Sequence, residues 1–284
     1  ARANSIMVVV KVAILVFFVA LGGFYLSPGN WQPFAPNGTT GIMTGSAIIF
    51  FAFIGFDAVS TTAEEAHNPK RDLPIGIIAS LVITTILYVC VGGVMTGLKH
   101  YSTFAGDASP IASAIAVINK PWLQAIISAG ALAGSTSVLL VFQLGQPRIF
   151  MAMARDGLLP GYFSKIHPKF RTPHVTTIWT GIIVGLVAMV TDIGSLADLT
   201  NIGTLFAFIL VCLGVIVLRK KQPNRERPFR VPLVPIFPIV GALFCLGLML
   251  SLPIETWYRF IIWLAIGLLI YFLYGISHSK LKNR

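Results

Sequence analysis

Long apolar runs separated by short polar stretches make up most of the chain. A helix that crosses a bilayer needs about 20 mainly apolar residues, and eight runs come close to that length. They cover residues 5–26, 42–60, 75–98, 122–147, 175–191, 199–218, 233–252 and 257–276. Each run is continuously apolar rather than alternating, which favours helices over the strands of a membrane barrel. The pattern therefore predicts an all-α integral membrane protein with eight transmembrane helices.

The composition narrows the class of protein further. Of the 284 residues, 56% are hydrophobic and 11% are charged, and the mean hydropathy is +0.83. Soluble domains contain about 45–50% apolar residues and about 25% charged residues. A soluble enzyme, a disordered chain and a nucleic-acid-binding domain are therefore excluded.

The placement of lysine and arginine predicts the orientation in the membrane. The net charge is +11, which on a soluble chain would favour a polyanionic partner. Here 17 of the 21 Lys and Arg residues lie before the first span, in alternate loops and after the last span. Basic residues concentrate on the cytoplasmic side of a membrane. We therefore expect a multi-pass protein of the cell membrane, with both termini of this chain cytoplasmic and no nucleic-acid partner.

Signatures of catalysis and of metal binding are absent from the sequence. It contains no H-E-x-x-H motif, no G-x-S-x-G motif and no Walker-type glycine loop. The three cysteines lie within apolar spans, and the five histidines lie in or beside loops without metal-ligand spacing. We expect no enzyme activity, no catalytic residue, no metal and no cofactor.

Two ionisable residues, Lys11 and Asp57, fall within predicted spans, where such residues are costly and often functional. Lys11 lies about 9 Å into its span at about 1.5 Å per residue. Either its long stem carries the ammonium back to the interface, or it is a buried amine that gains and loses a proton. Asp57 is either an interfacial carboxylate or a group deeper in its span.

Other positions in the spans carry polar or flexible chemistry. Gly55 stands among bulky aromatic residues, where it weakens a helix and permits a positive φ. A helix broken inside a membrane is tolerated where it lines a cavity, and transporters bind substrates and ions at such breaks. The run Ser135-Thr136-Ser137 offers hydroxyls that bond either to carbonyls of their own helix or to an ion or ammonium group.

Two loops have patterns typical of ordered structure. Ser109 followed by Pro110 predicts the start of a short apolar helix that continues to residue 118. That helix either covers a cavity as a lid or lies at the interface. Residues 155–160 predict the end of a helix and a turn.

Three groups of residues resemble the signature of a known family. They read FIGFD at 53–57 with AEEAHNPKRDLP at 63–74, ARDGLLP at 154–160 with HPKFRTP at 167–173, and RPFRVP at 227–232 with Pro235 and Pro238. In identity and order they resemble amino acid permeases of the amino acid–polyamine–organocation (APC) superfamily. The most similar group is that of the bacterial cationic amino acid transporter-like proton symporters, and the resemblance covers essentially the whole chain.

This resemblance implies a LeuT-type fold with twelve helices and two inverted five-helix repeats. The eight spans would be helices 5–12. Residues 5–26 would close the first repeat, residues 42–218 would form the second, and residues 233–276 would be two appended helices. Residues 1–284 would then form a single transmembrane domain fragment that lacks helices 1–4. The broken first helix of the family supplies half of the substrate site.

The resemblance also implies a role for Lys11. It corresponds to a lysine on the fifth helix of proton-coupled members, which occupies the place of a sodium ion in sodium-coupled relatives. Its protonated amine would donate to the hydroxyl of Ser135 or Thr136, and it would couple transport to protons.

The substrate site implied by the resemblance lies in the second span. Phe51 corresponds to an aromatic gate that covers the substrate. The carbonyls of Phe51, Ala52 and Ile54 would accept hydrogen bonds from the substrate ammonium. Gly55 would mark the unwound segment, and Asp57 would bond across the break.

The function implied is secondary active transport of amino acids, coupled to protons, by alternating access. The substrate would be a neutral or cationic amino acid. Two alternatives stay open: a non-transporting, truncated membrane scaffold, and a polyamine or amino acid exchanger of the same superfamily. The sequence also leaves open a small membrane subunit as a partner.

Overall fold

The computed structural model describes residues 2–56, 68–107, 109–227 and 229–279. Within these ranges the chain is helical and contains no strand, which confirms the all-α prediction. The main helices are α1 (Arg2–Gly22), α2 (Gly38–Ile49), α3 (Pro69–Leu98), α4 (Pro110–Ala116), α5 (Pro121–Arg155), α6 (His174–Val190), α7 (Ile193–Lys221), α8 (Ile236–Leu250) and α9 (Ile254–Ile270). A π-helical turn, Tyr271–Gly275, joins α9 to the short α10 (Ile276–His278).

Each predicted span contains one apolar helix. Five helical segments of the described residues are long and apolar enough to cross a membrane: Ser5–Tyr25, Pro69–Leu98, Pro121–Arg155, Ile193–Lys221 and Ile254–His278. Three further apolar helices are shorter: Gly38–Phe53, His174–Val190 and Ile236–Leu250. The chain is therefore a multi-pass membrane protein, and a full count of eight crossings stays a prediction.

The predicted boundaries are wrong at three of the long helices. Helix α3 begins at Pro69 rather than at residue 75, α5 continues to Arg155 rather than ending at 147, and α7 begins at Ile193 rather than at 199. All three extensions carry charged residues, Pro74 lies in the extension of α3, and Pro147 lies directly before that of α5. Charge and proline end the apolar pattern but not the helix, because a helix continues into the interface and proline is tolerated in membrane helices.

The chain forms two compact units. The first consists of Ala1–Pro36 and Ile78–Leu144. Its core contains buried residues of α1, α3, α4 and α5: Phe18, Val94, Leu98, Ala114, Ile115, Leu123 and Ile127. The predicted helix after Ser109-Pro110 is present as α4, and its Ala114 and Ile115 are buried in this core.

A segment that follows α1 closes the end of α3 within the first unit. The Ser27 N–H and the Asn30 side-chain amide donate to the Gly97 carbonyl oxygen at 3.0 and 2.8 Å. The Trp31 indole N–H donates to the carbonyl oxygen of Gly93 at 3.2 Å. The last four carbonyls of a helix lack partners within it, so the two contacts to Gly97 satisfy the end of α3, and the Trp31 contact attaches the same segment one turn earlier.

The second unit consists of Asn37–Ile77 and Gly145–Arg284. Its core joins α2, α7 and α8 through the buried residues Ala47, Ile202, Leu205, Met249 and Leu252, and Trp257 and Phe260 of α9 pack against it. After α5, Gly157 adopts a φ of 81° and its N–H donates to the Ala154 carbonyl oxygen. The predicted helix end and turn are thereby confirmed.

Large apolar side chains lie exposed on the helices of both units. Val89 of α3 is 70% exposed and Leu139 of α5 is 68% exposed. In a soluble protein such surfaces would mark interaction sites. On apolar helices of this length such surfaces are compatible with lipid, since lipid tails are as apolar as these side chains.

Candidate functional site

The second apolar segment is interrupted inside its span. Helix α2 ends at Ile49, and a single 3₁₀ turn, Phe50–Phe53, follows it. Ile54 is extended, with φ −60° and ψ 129°, and Gly55 has a φ of 122°. The sequence permits a positive φ at Gly55, the structure shows one there, and only glycine adopts it without strain. Helical hydrogen bonding therefore stops among the residues to which a substrate role was assigned.

A buried asparagine of α7 holds the end of α2. Asn201 is fully buried, and its side-chain amide donates to the carbonyl oxygens of Ala47 at 3.1 Å and Ile48 at 3.2 Å. These are among the last carbonyls of α2, which have no partner within the helix. Sequence reasoning missed Asn201. The signal was available, because a polar side chain within an apolar span usually faces protein rather than lipid.

Aromatic contacts attach both sides of the interruption to α7. The ring of Phe208 lies 6.1 Å from the ring of Phe50, edge to face, and 5.5 Å from the ring of Phe56. Edge-to-face and tilted pairs at such distances are favourable. The residues between these two contacts form the unwound segment, 50–55.

The predicted substrate residues all belong to this segment. The side chain of Phe51 is 44% exposed, and its role as a gate stays a prediction. Its carbonyl oxygen accepts the Ile54 N–H at 3.2 Å. Ala52 is exposed, and Ile54 and Gly55 are half-buried. Asp57 lies outside the described residues, as do residues 63–67 of the resembling motif, so the role of Asp57 stays a prediction.

Lys11 contacts α5 through its aliphatic stem. A Cβ atom built on Gly134 would lie 2.9 Å from Lys11 Cδ, and one built on Gly130 would lie 2.7 Å from Ile14 Cδ1. Glycines spaced four residues apart let membrane helices approach closely. The two glycines belong to a buried row on α5 that is spaced at three and four residues: Leu123, Ile127, Gly130, Gly134 and Ser137. Lys11 therefore faces this row.

The hydroxyl run on α5 is divided between two environments. Ser135 and Thr136, the predicted partners of Lys11, are both exposed, and the Thr136 hydroxyl donates to the Leu132 carbonyl oxygen at 2.8 Å. Ser137, which the sequence prediction did not assign to Lys11, is 98% buried (2% exposed) and lies three residues after Gly134 on the same face. Its spacing from Gly130 and Gly134 was the signal that could have identified it.

Two aspartates outside the spans accept hydrogen bonds near the starts of helices α4 and α7. Hydrogen bonds from the Ser113 hydroxyl and from the Ser109 N–H hold the pKa of Asp107 below its ordinary value. Asp192, the N-cap of α7, accepts the Ser195 N–H at 2.8 Å, and this bond lowers its pKa. Both carboxylates therefore have structural partners. The described residues contain no cluster of three His, Cys, Asp or Glu side chains that could hold a metal ion.

A multi-pass α-helical membrane protein with one helix interrupted in its apolar span has the features of a membrane transporter. The family model described as "Amino acid permease" matches residues 1–272, and the chain belongs to this amino acid permease family. The resemblance carried by the three motifs is confirmed at the level of the family. Because the family consists of transporters, the prediction that the protein is not an enzyme is also confirmed.

Several relatives extend over nearly the whole chain. It is 49% identical to the branched-chain amino acid permease BcaP of Bacillus subtilis (strain 168), over 99% of the chain and 61% of that protein. It is 46% identical to the methylthioribose transporter of the same organism, with the same coverage. It is 41% identical over 78% of its length to the vacuolar cationic amino acid transporter 4 of Arabidopsis thaliana, 38% of which is covered. The chain spans about three fifths of the two bacterial relatives.

Proposed function

We propose that the protein carries out secondary active transport of amino acids, coupled to protons, by alternating access. In this proposal the chain supplies helices 5–12 of a twelve-helix LeuT-type fold with inverted repeats. The observation that carries the proposal is the interruption at residues 50–55. Irregular backbone at membrane depth is tolerated only where it lines a cavity or is buried in protein, and transporters bind solutes at broken helices.

The unwound segment recognises the amino acid backbone in this proposal. The carbonyls of Phe51, Ala52 and Ile54 accept hydrogen bonds from the α-ammonium of the substrate. The exposed ring of Phe51 closes over it, Gly55 provides the turn, and Asp57 bonds across the break. A neutral or cationic side chain then contacts the helices around the segment.

Proton coupling is assigned to Lys11. Its stem lies against Gly134, which directly precedes the hydroxyl run 135–137, and this contact supports the assignment. It donates to Ser135 or Thr136, and Ser137 is a third candidate because it is buried on the same face as Gly134. The amine is charged in the outward-facing state and loses its proton in the inward-facing state, so the proton gradient drives uptake.

The test is uptake of radiolabelled leucine into proteoliposomes with an inward proton gradient. This chain is compared with a version that also carries the four helices that precede it in the family fold. We expect uptake by the longer version only, because the family divides the substrate site between the first helix and the second span. Unlabelled arginine and methylthioribose serve as competitors, since relatives are named for cationic amino acids and for methylthioribose. Uptake by this chain alone would contradict the divided site.

Lys11→Ala in the longer version tests the coupling. We expect the stimulation of leucine uptake by the gradient to fall at least tenfold, while exchange of leucine without a gradient continues, because the variant has no amine to carry the proton. Lys120→Ala, in an exposed loop, is the control and should retain full stimulation. Gradient-driven uptake that survives Lys11→Ala would refute the assignment. Uptake that never responds to a gradient would favour an exchanger, and no uptake by either version would favour a scaffold.

A further inference from the structure

Only the nitrogen of the Asn201 carboxamide has hydrogen-bond partners among the described residues. Its amide nitrogen donates to two carbonyl oxygens of α2, but its oxygen Oδ1 is buried and has no hydrogen-bond partner among the described residues. The orientation of the group follows from these contacts, since carbonyls only accept hydrogen bonds and so must face the nitrogen. Oδ1 is therefore an acceptor held in a fixed direction.

A buried acceptor without a donor is rare in proteins. Asn201 is fully buried, as are Ile202 and Leu205 beside it in the core of the second unit. The hydrogen bonds to α2 account for the amide nitrogen, but they leave the oxygen buried without a donor, which costs free energy. The polar group therefore points to a ligand that supplies an N–H or O–H donor.

The position of the carboxamide identifies that ligand. Carbonyls of an α-helix point along the axis toward the residue four positions later, so the oxygens of Ala47 and Ile48 point toward the level of Phe51 and Ala52. The amide that binds these oxygens consequently lies at the start of the unwound segment. Two helical turns along the same face of α7, Phe208 contacts both sides of that segment.

We propose that Oδ1 of Asn201 is a substrate-binding acceptor that receives a hydrogen bond from the α-ammonium of the transported amino acid. Asn201 thus has two functions: its nitrogen fixes the end of α2, and its oxygen recognises the solute that binds at the break. This inference rests on the proposed function, because it needs an ammonium-bearing substrate at residues 50–55.

The experiment measures discrimination between two ligands. In the uptake-competent longer version, labelled leucine uptake is competed with unlabelled leucine and with its 2-hydroxy analogue, in which a hydroxyl replaces the ammonium. A hydrogen bond from a charged group to a buried acceptor favours leucine by about tenfold or more. In Asn201→Leu we expect the preference for leucine over the analogue to fall several-fold. Thr200→Val is the matched control on the same helix, since the exposed Thr200 hydroxyl bonds only within α7.

A second variant separates the oxygen from the nitrogen. Asn201→Asp retains an acceptor at Oδ1 and loses the amide donors, so it should retain the preference for leucine even if total uptake falls. A merely structural Asn201 would weaken leucine and the analogue equally in Asn201→Leu and leave the preference unchanged, which would overturn the inference. If the unaltered protein takes up no leucine, the proposed function itself is wrong. This result differs from uptake with an unchanged preference in Asn201→Leu, which overturns only the inference about Asn201.

Discussion

At the scale of single residues, two glycines of α5 determine how closely α1 approaches. Gly130 and Gly134 lie against Ile14 and the Lys11 stem, where any larger residue would collide with the side chain opposite. The aliphatic stem of Lys11 is therefore packed against α5, so the lysine is neither fully solvated nor fully enclosed. The residue as a whole is half-buried, and its role in proton coupling stays a prediction.

Gly134→Ala should disturb the proposed coupling without removing the lysine. The added methyl would lie 2.9 Å from Lys11 Cδ, so the stem must move away from α5. We expect gradient-driven leucine uptake to fall several-fold, while thermal stability in detergent changes little because alanine is a better helix former. Gly145→Ala on the same helix meets no atom within 4 Å and should behave as the unaltered protein. Full activity of Gly134→Ala would show that the packing of the stem is unimportant.

Asp107 is expected to respond to acid in a defined direction. Its pKa is lowered from an ordinary 3.8 by hydrogen bonds from Ser113 and Ser109. Its contribution to the start of α4 is therefore complete above pH 3.8 and is lost as the pH falls through the lowered pKa. Hydrogen exchange of residues 107–116, corrected for intrinsic rates, should stay constant from pH 7 to 5 and increase on strong acidification. Asp107→Asn keeps the acceptor oxygen and should remove this response; a response already present at pH 6 would contradict the assignment.

At the scale of helices, the ends of the elements depend on contacts that come from elsewhere in the chain. The end of α3 is satisfied by the segment that follows α1, through Asn30 and Trp31. The end of α2 is satisfied by Asn201 of α7. Side chains of other elements, rather than residues of the same helix, therefore define where these two helices stop.

Gly97→Ala tests the closure of α3. A methyl group at this position would lie 2.6 Å from Leu26 Cδ2 and 3.0 Å from the ring of Trp31, both of which are held by the loop. Overpacking of this kind costs about 1–3 kcal/mol, so the thermal unfolding midpoint in detergent should fall by several degrees. Gly92→Ala, on the same helix with no atom within 4 Å, should leave the midpoint unchanged or raise it slightly. Equal thermal unfolding midpoints for the two variants would mean that Leu26 and Trp31 move to accommodate the methyl group without loss of stability.

The sequence predicted helices better than it predicted their contacts. The apolar runs located every main helix except α4, which the Ser109-Pro110 pair predicted, and Gly55 indicated the break in the second span, because hydropathy and positive φ are local properties. The runs missed the extensions of α3, α5 and α7, since charged residues can lie in a helix beyond the bilayer. Asn201 and Ser137 were missed because their importance depends on which helix lies opposite. An apolar run that is hydrophobic on every side does not reveal which face is buried.

At the scale of the whole molecule, the distribution of charge predicts the orientation. A green fluorescent protein fused after Arg284 should fluoresce, and alkaline phosphatase at the same position should be inactive, because that terminus is predicted to be cytoplasmic. Alkaline phosphatase inserted after Asp107 should be active. The loop between α3 and α5 has only two basic residues, Lys99 and Lys120, and is therefore predicted to lie on the side opposite the cytoplasm. The opposite pattern of reporters would invert the topology and with it the direction of the proposed proton movement.

The hydrogen bonds from Asn201 to Ala47 and Ile48 have a consequence for the geometry of motion. They join α2 and α7 at a point just before the unwound segment, and the buried contact of Ala47 with Ile202 and Leu205 adds to the attachment. These contacts hold α2 and α7 together as one body. We therefore expect any rotation of α2 relative to the residues that follow it to use the backbone torsions of the unwound segment.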